Sequence, residues 1–216
     1  MACSRSPVEG RRGSGSIRAG TNADEMKRTA NETSVFIGGS RHVARLTKDL
    51  RERLDNIIAK HFNVIVGDAN GADKAVQGYF ARMNYDSVTV YCMAGNCRNN
   101  LGGWPIRSIT AAPGARGFDY YAAKDRVMAV DADYGLMLWD GSSRGTLTNV
   151  VDLVNRGKPV VVYVSGSKSF TTLREPRQLS EWLQALDPKI LSRVEHDLHL
   201  ATRPVPQHAA SELSLF

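Results

Sequence analysis

Short apolar runs and amphipathic segments alternate through the middle of the chain. SVFIG (34–38) is an apolar run closed by glycine, which predicts a buried strand. The next segment, LTKDLRERLDNIIAKH, sets Leu46, Leu50, Leu54, Ile57 and Ile58 on one helical face. NVIVG (63–67) predicts a second strand, and GADKAVQGYFARM a second helix with Ala72, Val76, Tyr79, Phe80 and Met83 on its inner side. SVTVY (87–91) predicts a third strand. Residues 92–117 then lose any clean period and are too long for an ordinary connection, which points to a functional or disordered loop. That loop holds Arg98, Arg107 and Arg116, with Trp104 and Ile106 as candidate anchors to the body.

The alternation resumes with FDYYAAKDRVMAVDA (118–132), a predicted helix with Tyr121, Val127 and Met128 inward. DYGLMLWDG (133–141) predicts a fourth strand. GTLTNVVDLVNRGK (145–158) predicts a helix that buries Leu147, Val150, Val151 and Val154 and stops at Gly157. PVVVYV (159–164) predicts a fifth strand, and PRQLSEWLQALD, after a polar link, a last helix. Strands that are apolar throughout and separated by helices belong in a mostly parallel sheet covered on both faces. The expected division is a disordered leader over 1–33, an α/β domain over 34–173, a C-terminal helix over 174–190 and a flexible tail over 191–216.

Composition narrows the partners. The net charge is +6, and the excess sits within 34–173, which suits an anionic ligand. No run of about 18 apolar residues exists to cross a membrane, and the N-terminus lacks the apolar core of a secretory signal. The three cysteines argue against a disulfide framework and for a cytoplasmic protein. Cys92 and Cys97 have too few partners for a zinc site. They are expected as two reduced thiols, and no metal or cofactor is expected.

In an open parallel sheet, ligands bind beyond the carboxyl ends of the strands. Four strand ends here carry polar or glycine-rich chemistry, and a parallel sheet gathers them at one edge. The first, GGSR, offers Gly38 and Gly39 for close backbone approach, Ser40 as a cap and Arg41 for an anion. The second, GDANGAD, holds Gly67, Asp68, Gly71, Ala72 and Asp73. Asp68 and Asp73 either cap the helix or face a ligand, and Gly71 leaves room for one. The third is the arginine loop. The fourth, DGSSRGT, holds Asp140, Gly141, Ser142, Arg144, Gly145 and Thr146 at a helix start, a ready phosphate cradle. It is not a Walker A loop, and no Gly-x-Gly-x-x-Gly fingerprint occurs. Trp139, just before Asp140, fits base stacking or buried packing equally well.

Taken together, FIGGSR, VGDANGADKAVQGYFARM and YYAAKDRVMAVDADYGLMLWDGSSRGTLTNVVDLVNRGKPVVVY resemble the SLOG superfamily over about 34–164. That superfamily of Rossmann-like domains includes YpsA-like proteins, the LOG phosphoribohydrolases and the DNA-processing protein DprA. The resemblance implies a Rossmann-like doubly wound sheet of five or more strands with helices on both faces. It also implies a homodimer and a nucleotide or nucleotide-derived ligand surrounded by Gly39, Ser40, Arg41, Gly71, Ala72, Asp73, Lys124, Asp125, Gly145 and Thr146. One position departs from the pattern. The LOG enzymes carry a glutamate after Gly-Thr-x-x, and nucleoside deoxyribosyltransferases place a glutamate nucleophile near that point, whereas this chain has Asn149. An amide is neither a nucleophile nor a general base at neutral pH. The first expectation is therefore nucleotide binding or sensing. The alternative is an N-glycosidase using Asp140 or Asp125. DprA-like nucleic-acid binding is less favoured, because the basic excess is too small to demand an extended basic face.

Overall fold

The computed structural model describes residues 33–192. The expected leader over 1–33 and tail over 191–216 lie almost wholly outside them. In chain order the elements are β1 (Ser34–Gly39), α1 (Lys48–Ala59), β2 (Asn63–Gly67), α2 (Ala72–Arg82), β3 (Val88–Met93) and β4 (Ile106–Ile109). They continue with α3 (Gly117–Asp131), β5 (Tyr134–Trp139), α4 (Arg144–Asn155), β6 (Val160–Val164), β7 (Ser169–Leu173) and α5 (Pro176–Gln184). The strands form one seven-stranded sheet in the order β4-β3-β2-β1-β5-β6-β7. Every pairing is parallel except β6 with β7. The sheet is doubly wound and Rossmann-like.

Strand alternation builds the two halves of the core, because successive side chains leave a strand on opposite faces. Val35 and Ile37 of β1, Val64 and Val66 of β2, and Leu136 and Leu138 of β5 pack with Leu50, Leu54 and Ile57 of α1 and Val76, Tyr79 and Phe80 of α2. Phe36, Ile65, Met137 and Trp139 point the other way, onto Met128 of α3, Leu147, Val150 and Val151 of α4 and Leu179 of α5. Two helices start on hydroxyl caps: Thr47 accepts from the Leu50 amide, and Ser143 from the Thr146 amide. Proline at the start of α5 loses no helical hydrogen bond there.

Two strands escape the hydrophobic pattern. β4 lies inside the stretch expected to be an unstructured loop. It is a four-residue edge strand, mostly exposed, so nothing apolar marks it. β7 occupies the expected polar link and pairs only on one side. Three side chains also sit differently from expectation. Met83 caps the end of α2 and is 50% exposed, Ile106 is exposed on β4 rather than anchoring the loop, and Tyr121 stays partly exposed outside the packed core. Trp104 does anchor it: the ring is buried and its Nε1 donates to the Tyr85 carbonyl at 2.9 Å.

The contrast between Phe80 and Met83 is measurable. Phe80 is fully buried between α2 and the sheet. Phe80→Ala is expected to cost about 3–5 kcal/mol in urea denaturation. Met83→Ala, three residues on, is expected to stay within about 0.5 kcal/mol of the parent. Equal losses would mean that α2 faces the sheet differently.

Candidate functional site

The strand order reverses between β1 and β5, and a crevice opens there beyond the carboxyl ends of the strands. Asp140 stitches its two sides. Its Oδ2 accepts from Ser40 Oγ at 2.8 Å and lies 2.9 Å from His42 Nδ1, while its Oδ1 accepts from the Ser142 and Ser143 amides at 3.0 and 2.7 Å. Those partners hold the carboxyl well below the usual range despite partial burial. The Ser40 amide donates to Leu138 O at 2.9 Å, so the first loop is also seated on β5.

The cleft above this junction has a volume of about 640 Å³. One rim carries Gly38, Gly39, Ser40, Arg41 and His42. The opposite rim carries Asp140, Ser142, Ser143, Gly145 and Thr146. Phe36, Phe118, Tyr121, Ala122 and Met128 supply an apolar wall, and Gly67, Asp73, Lys124, Asp125 and Asn149 a polar floor. Of the residues singled out in the sequence, Asp68, Gly71, Ala72, Gly141 and Arg144 do not line it. Arg144 lies over the Phe118 ring, 4.0 Å from its centroid.

The floor is a buried charge network at the end of β2. Asp68 accepts from Arg98 Nε and Nη2, both at 2.9 Å, from the Arg98 amide at 3.1 Å and from Lys124 Nζ at 3.1 Å. Burial opposes its charge, but these donors win and hold the carboxyl far below its ordinary value. Lys124, 4% exposed, stays charged: burial pushes its pKa down, and Asp125, Asp73 and Asp68 raise it by more. Among the described residues, Asp73 has only the Ala69 amide as a hydrogen-bond donor, at 3.1 Å, and burial pushes it up to about 6. Asp125 is raised as well, by burial first, and lies 3.9 Å from Lys124 Nζ and 3.4 Å from Asn149 Nδ2. Gly67 makes the network possible, since a Cβ there would collide with the Asp73 carboxylate and sit 2.7 Å from Lys124 Nζ.

The open questions in GDANGAD are thereby answered. Asp68 is an ion-pair centre rather than a helix cap. Gly71, at φ 84°, leaves room not for a ligand but for the Arg41 backbone, which a Cβ would strike. Ala72 is wholly buried, its amide donating to Ser40 O at 3.1 Å. Trp139 is buried, donates to Ser143 O at 3.0 Å and meets Trp182 edge-on, so it is a packing residue. Of the loop arginines only Arg98 reaches the cleft. Arg107 pairs with Asp131 at 2.7 Å on β4, and Arg116 is the residue before α3. Cys92 and Cys97 are not two separate thiols: the turn after β3 brings their Cα atoms within 5.1 Å, the spacing of a disulfide. His42 and the Phe118–Tyr121 wall went unrecognised in the sequence. His42 adjoins Arg41, which was a signal; α3 has almost no hydrophobic periodicity, so its cleft face carried none.

No family model matches the sequence, and no curated protein matches it significantly. Among solved structures, the chain is similar to DNA processing protein A from Helicobacter pylori, a protein with a described single-stranded DNA binding mode. The likeness covers 77% of this chain and 80% of that one, at 16% identity and a TM-score of 0.48. No residue's role carries across at that distance. Among the described residues, no helix is long and apolar enough to cross a membrane, and no cluster of three or more metal-ligating side chains occurs.

The two neighbouring aspartates give opposite pH dependences. Asp68 binds its proton less tightly in the fold than in the unfolded chain, so its stabilisation is present above the ordinary value and fades in acid. Asp73 binds its proton more tightly. Its contribution is complete below the ordinary value of 3.8 and is lost as pH rises through about 6. Asp73→Asn removes that titration. In urea denaturation the parent is expected to lose stability relative to Asp73→Asn between about pH 4 and 7. A difference constant with pH would show that Asp73 is ionised throughout.

Proposed function

We propose that the cleft between β1 and β5 binds a nucleotide or nucleotide-derived ligand, as SLOG-type domains do. The observation that carries this reading is the division of one cleft into a polar rim bearing Arg41, an apolar wall and a buried polar floor. A volume of about 640 Å³ suits a ligand of that size. The anionic end belongs beside Arg41 and the first turn of α4 at Gly145, where a guanidinium and a helix start act together. Asp140 already takes the Ser142 and Ser143 amides, so Arg41 bears more of the recognition than a bare glycine cradle would require. The base lies against Phe118 and Tyr121, and the sugar over Asp125 and Asn149. Pairing of two chains into a homodimer belongs to the same reading.

One observation favours a second reading, N-glycosidic hydrolysis. Asp125 has a raised pKa, its side chain is 28% exposed in the cleft, and it touches Asn149, which stands where the LOG enzymes have glutamate. A carboxyl whose hold on its proton is strengthened by burial is suited to protonating a departing base. Asp140, the other candidate, has both oxygens engaged by four donors and is poorly placed to react.

Calorimetry with AMP and adenosine, side by side, tests the binding reading. One charged hydrogen bond contributes about 1.5–3 kcal/mol, so Arg41→Ala is expected to weaken AMP about tenfold to a hundredfold. Adenosine is expected to bind weakly and to change little. Unchanged AMP affinity would put the phosphate elsewhere, and tight binding of a single-stranded oligonucleotide with none of AMP would replace this reading with nucleic-acid binding. Chromatography of the same mixtures reads free adenine. Release by the parent that Asp125→Asn abolishes would establish the hydrolytic reading.

A further inference from the structure

We propose that Cys92 and Cys97 are a redox-active pair whose thiol–disulfide state sets how firmly Arg98 holds the floor of the cleft. Cys92 is the last residue but one of β3 and is fully buried; Cys97 is partly exposed at the far side of a tight turn. Within that turn the Asn96 amide donates to Met93 O at 3.0 Å, and Ala94 and Gly95 both have left-handed backbone, at φ 51° and 71°. Left-handed backbone is unfavourable for alanine, so the turn gains from a covalent tie across it. The Ala94 amide donates to Ile109 O at 2.8 Å, fixing the turn to β4.

The residues directly after the bridge are the ones that close the floor. Arg98 grips Asp68 through its side chain and its own amide. Asn99 Nδ2 donates to Asp68 O at 2.8 Å and to Asn70 Oδ1 at 3.1 Å, and the Leu101 amide donates to Gln77 Oε1 at 3.0 Å. The bridge therefore stands between a rigid strand and a clamp whose guanidinium, 40% exposed, neutralises a carboxylate beneath the ligand. Opening it loosens the clamp and uncovers negative charge toward an anion.

The chemistry balances with two equivalents of a small thiol. A thiolate attacks the accessible sulfur of Cys97, and Cys92 leaves as a thiolate that takes up a proton. A second thiol resolves the mixed disulfide on Cys97. The products are two cysteine thiols and one oxidised disulfide of the reductant, a transfer of two electrons.

The consequence for ligand rests on the nucleotide reading; the switch itself does not, and the test separates them. The full chain is compared after mild oxidation and after treatment with dithiothreitol. Maleimide labelling under denaturing conditions is expected to count one thiol, that of Cys3, in the oxidised chain and three in the reduced one. Hydrogen exchange at the Arg98 and Leu101 amides is expected to be faster in the reduced chain and in Cys97→Ser. AMP is expected to bind roughly tenfold more weakly to the reduced chain, and Arg98→Ala to abolish that redox dependence. Faster exchange without AMP binding in either state supports the switch and removes the nucleotide reading. Three labelled thiols after oxidation, or identical exchange in both states, overturns the proposal.

Discussion

The structure of the cleft depends on one carboxylate. Asp68 sits 2% exposed where β2 ends, and an ionised group at that depth is strongly unfavourable without partners. It finds them on two separate stretches of chain, Arg98 from the loop after β3 and Lys124 from α3. Satisfying one buried charge therefore fixes the position of a long loop and of a helix whose own packing pattern is weak. Removing either cation leaves a charge stranded, which is the costly way to break such a pair. The same network decides the state of its neighbours. Burial first of all makes Asp73 and Asp125 hold their protons more tightly than an exposed carboxyl, and Lys124, shared among three aspartates, offsets this only in part.

A second carboxylate, Asp140, does comparable work at the switch point. It ties the β1 loop to the β5 loop through Ser40 and His42 on one side and the start of α4 on the other. Two aspartates thus serve as fixed points, and two others, Asp73 and Asp125, remain chemically available. This division follows from geometry alone: a carboxylate surrounded by donors is held ionised and inert, and one that is buried with few donors is poised to exchange a proton. The functional reading follows that division. Under the proposed reading, Arg41 at the rim meets the anion, and Asp125 with Asn149 lies at the floor beneath the sugar.

The sheet was legible because its strands are long apolar runs and its helices carry clear inward faces, as with Leu50, Leu54 and Ile57. β4 and β7 were not, because an edge strand needs little apolar surface, and IRSI and SFTTL have little to offer. The convergence of GGSR, Asp73 and DGSSRGT on one cleft was readable from their places at strand ends, whereas Lys124 and Asp125, in the middle of α3, were expected there only from the family resemblance. Details of which polar atom meets which were not. Gly71 reads as open space for a ligand until the fold places the Arg41 backbone against it. Asp68 reads as a cap or a ligand-facing group until Arg98, thirty residues later, arrives on it. The Cys92–Cys97 bridge depends on a turn with left-handed residues, which spacing does not reveal.

The central claim is that one ligand site lies at the β1–β5 switch point, held by the Asp68 network. Backbone amide shifts in an isotope-labelled chain titrated with nucleoside monophosphates test it most directly. The account requires saturable changes concentrated at Gly38–His42, Gly67–Ala69 and Gly141–Thr146, with the N-terminal edge of the sheet unmoved. Changes centred on any other surface, or none at millimolar nucleotide, would contradict it.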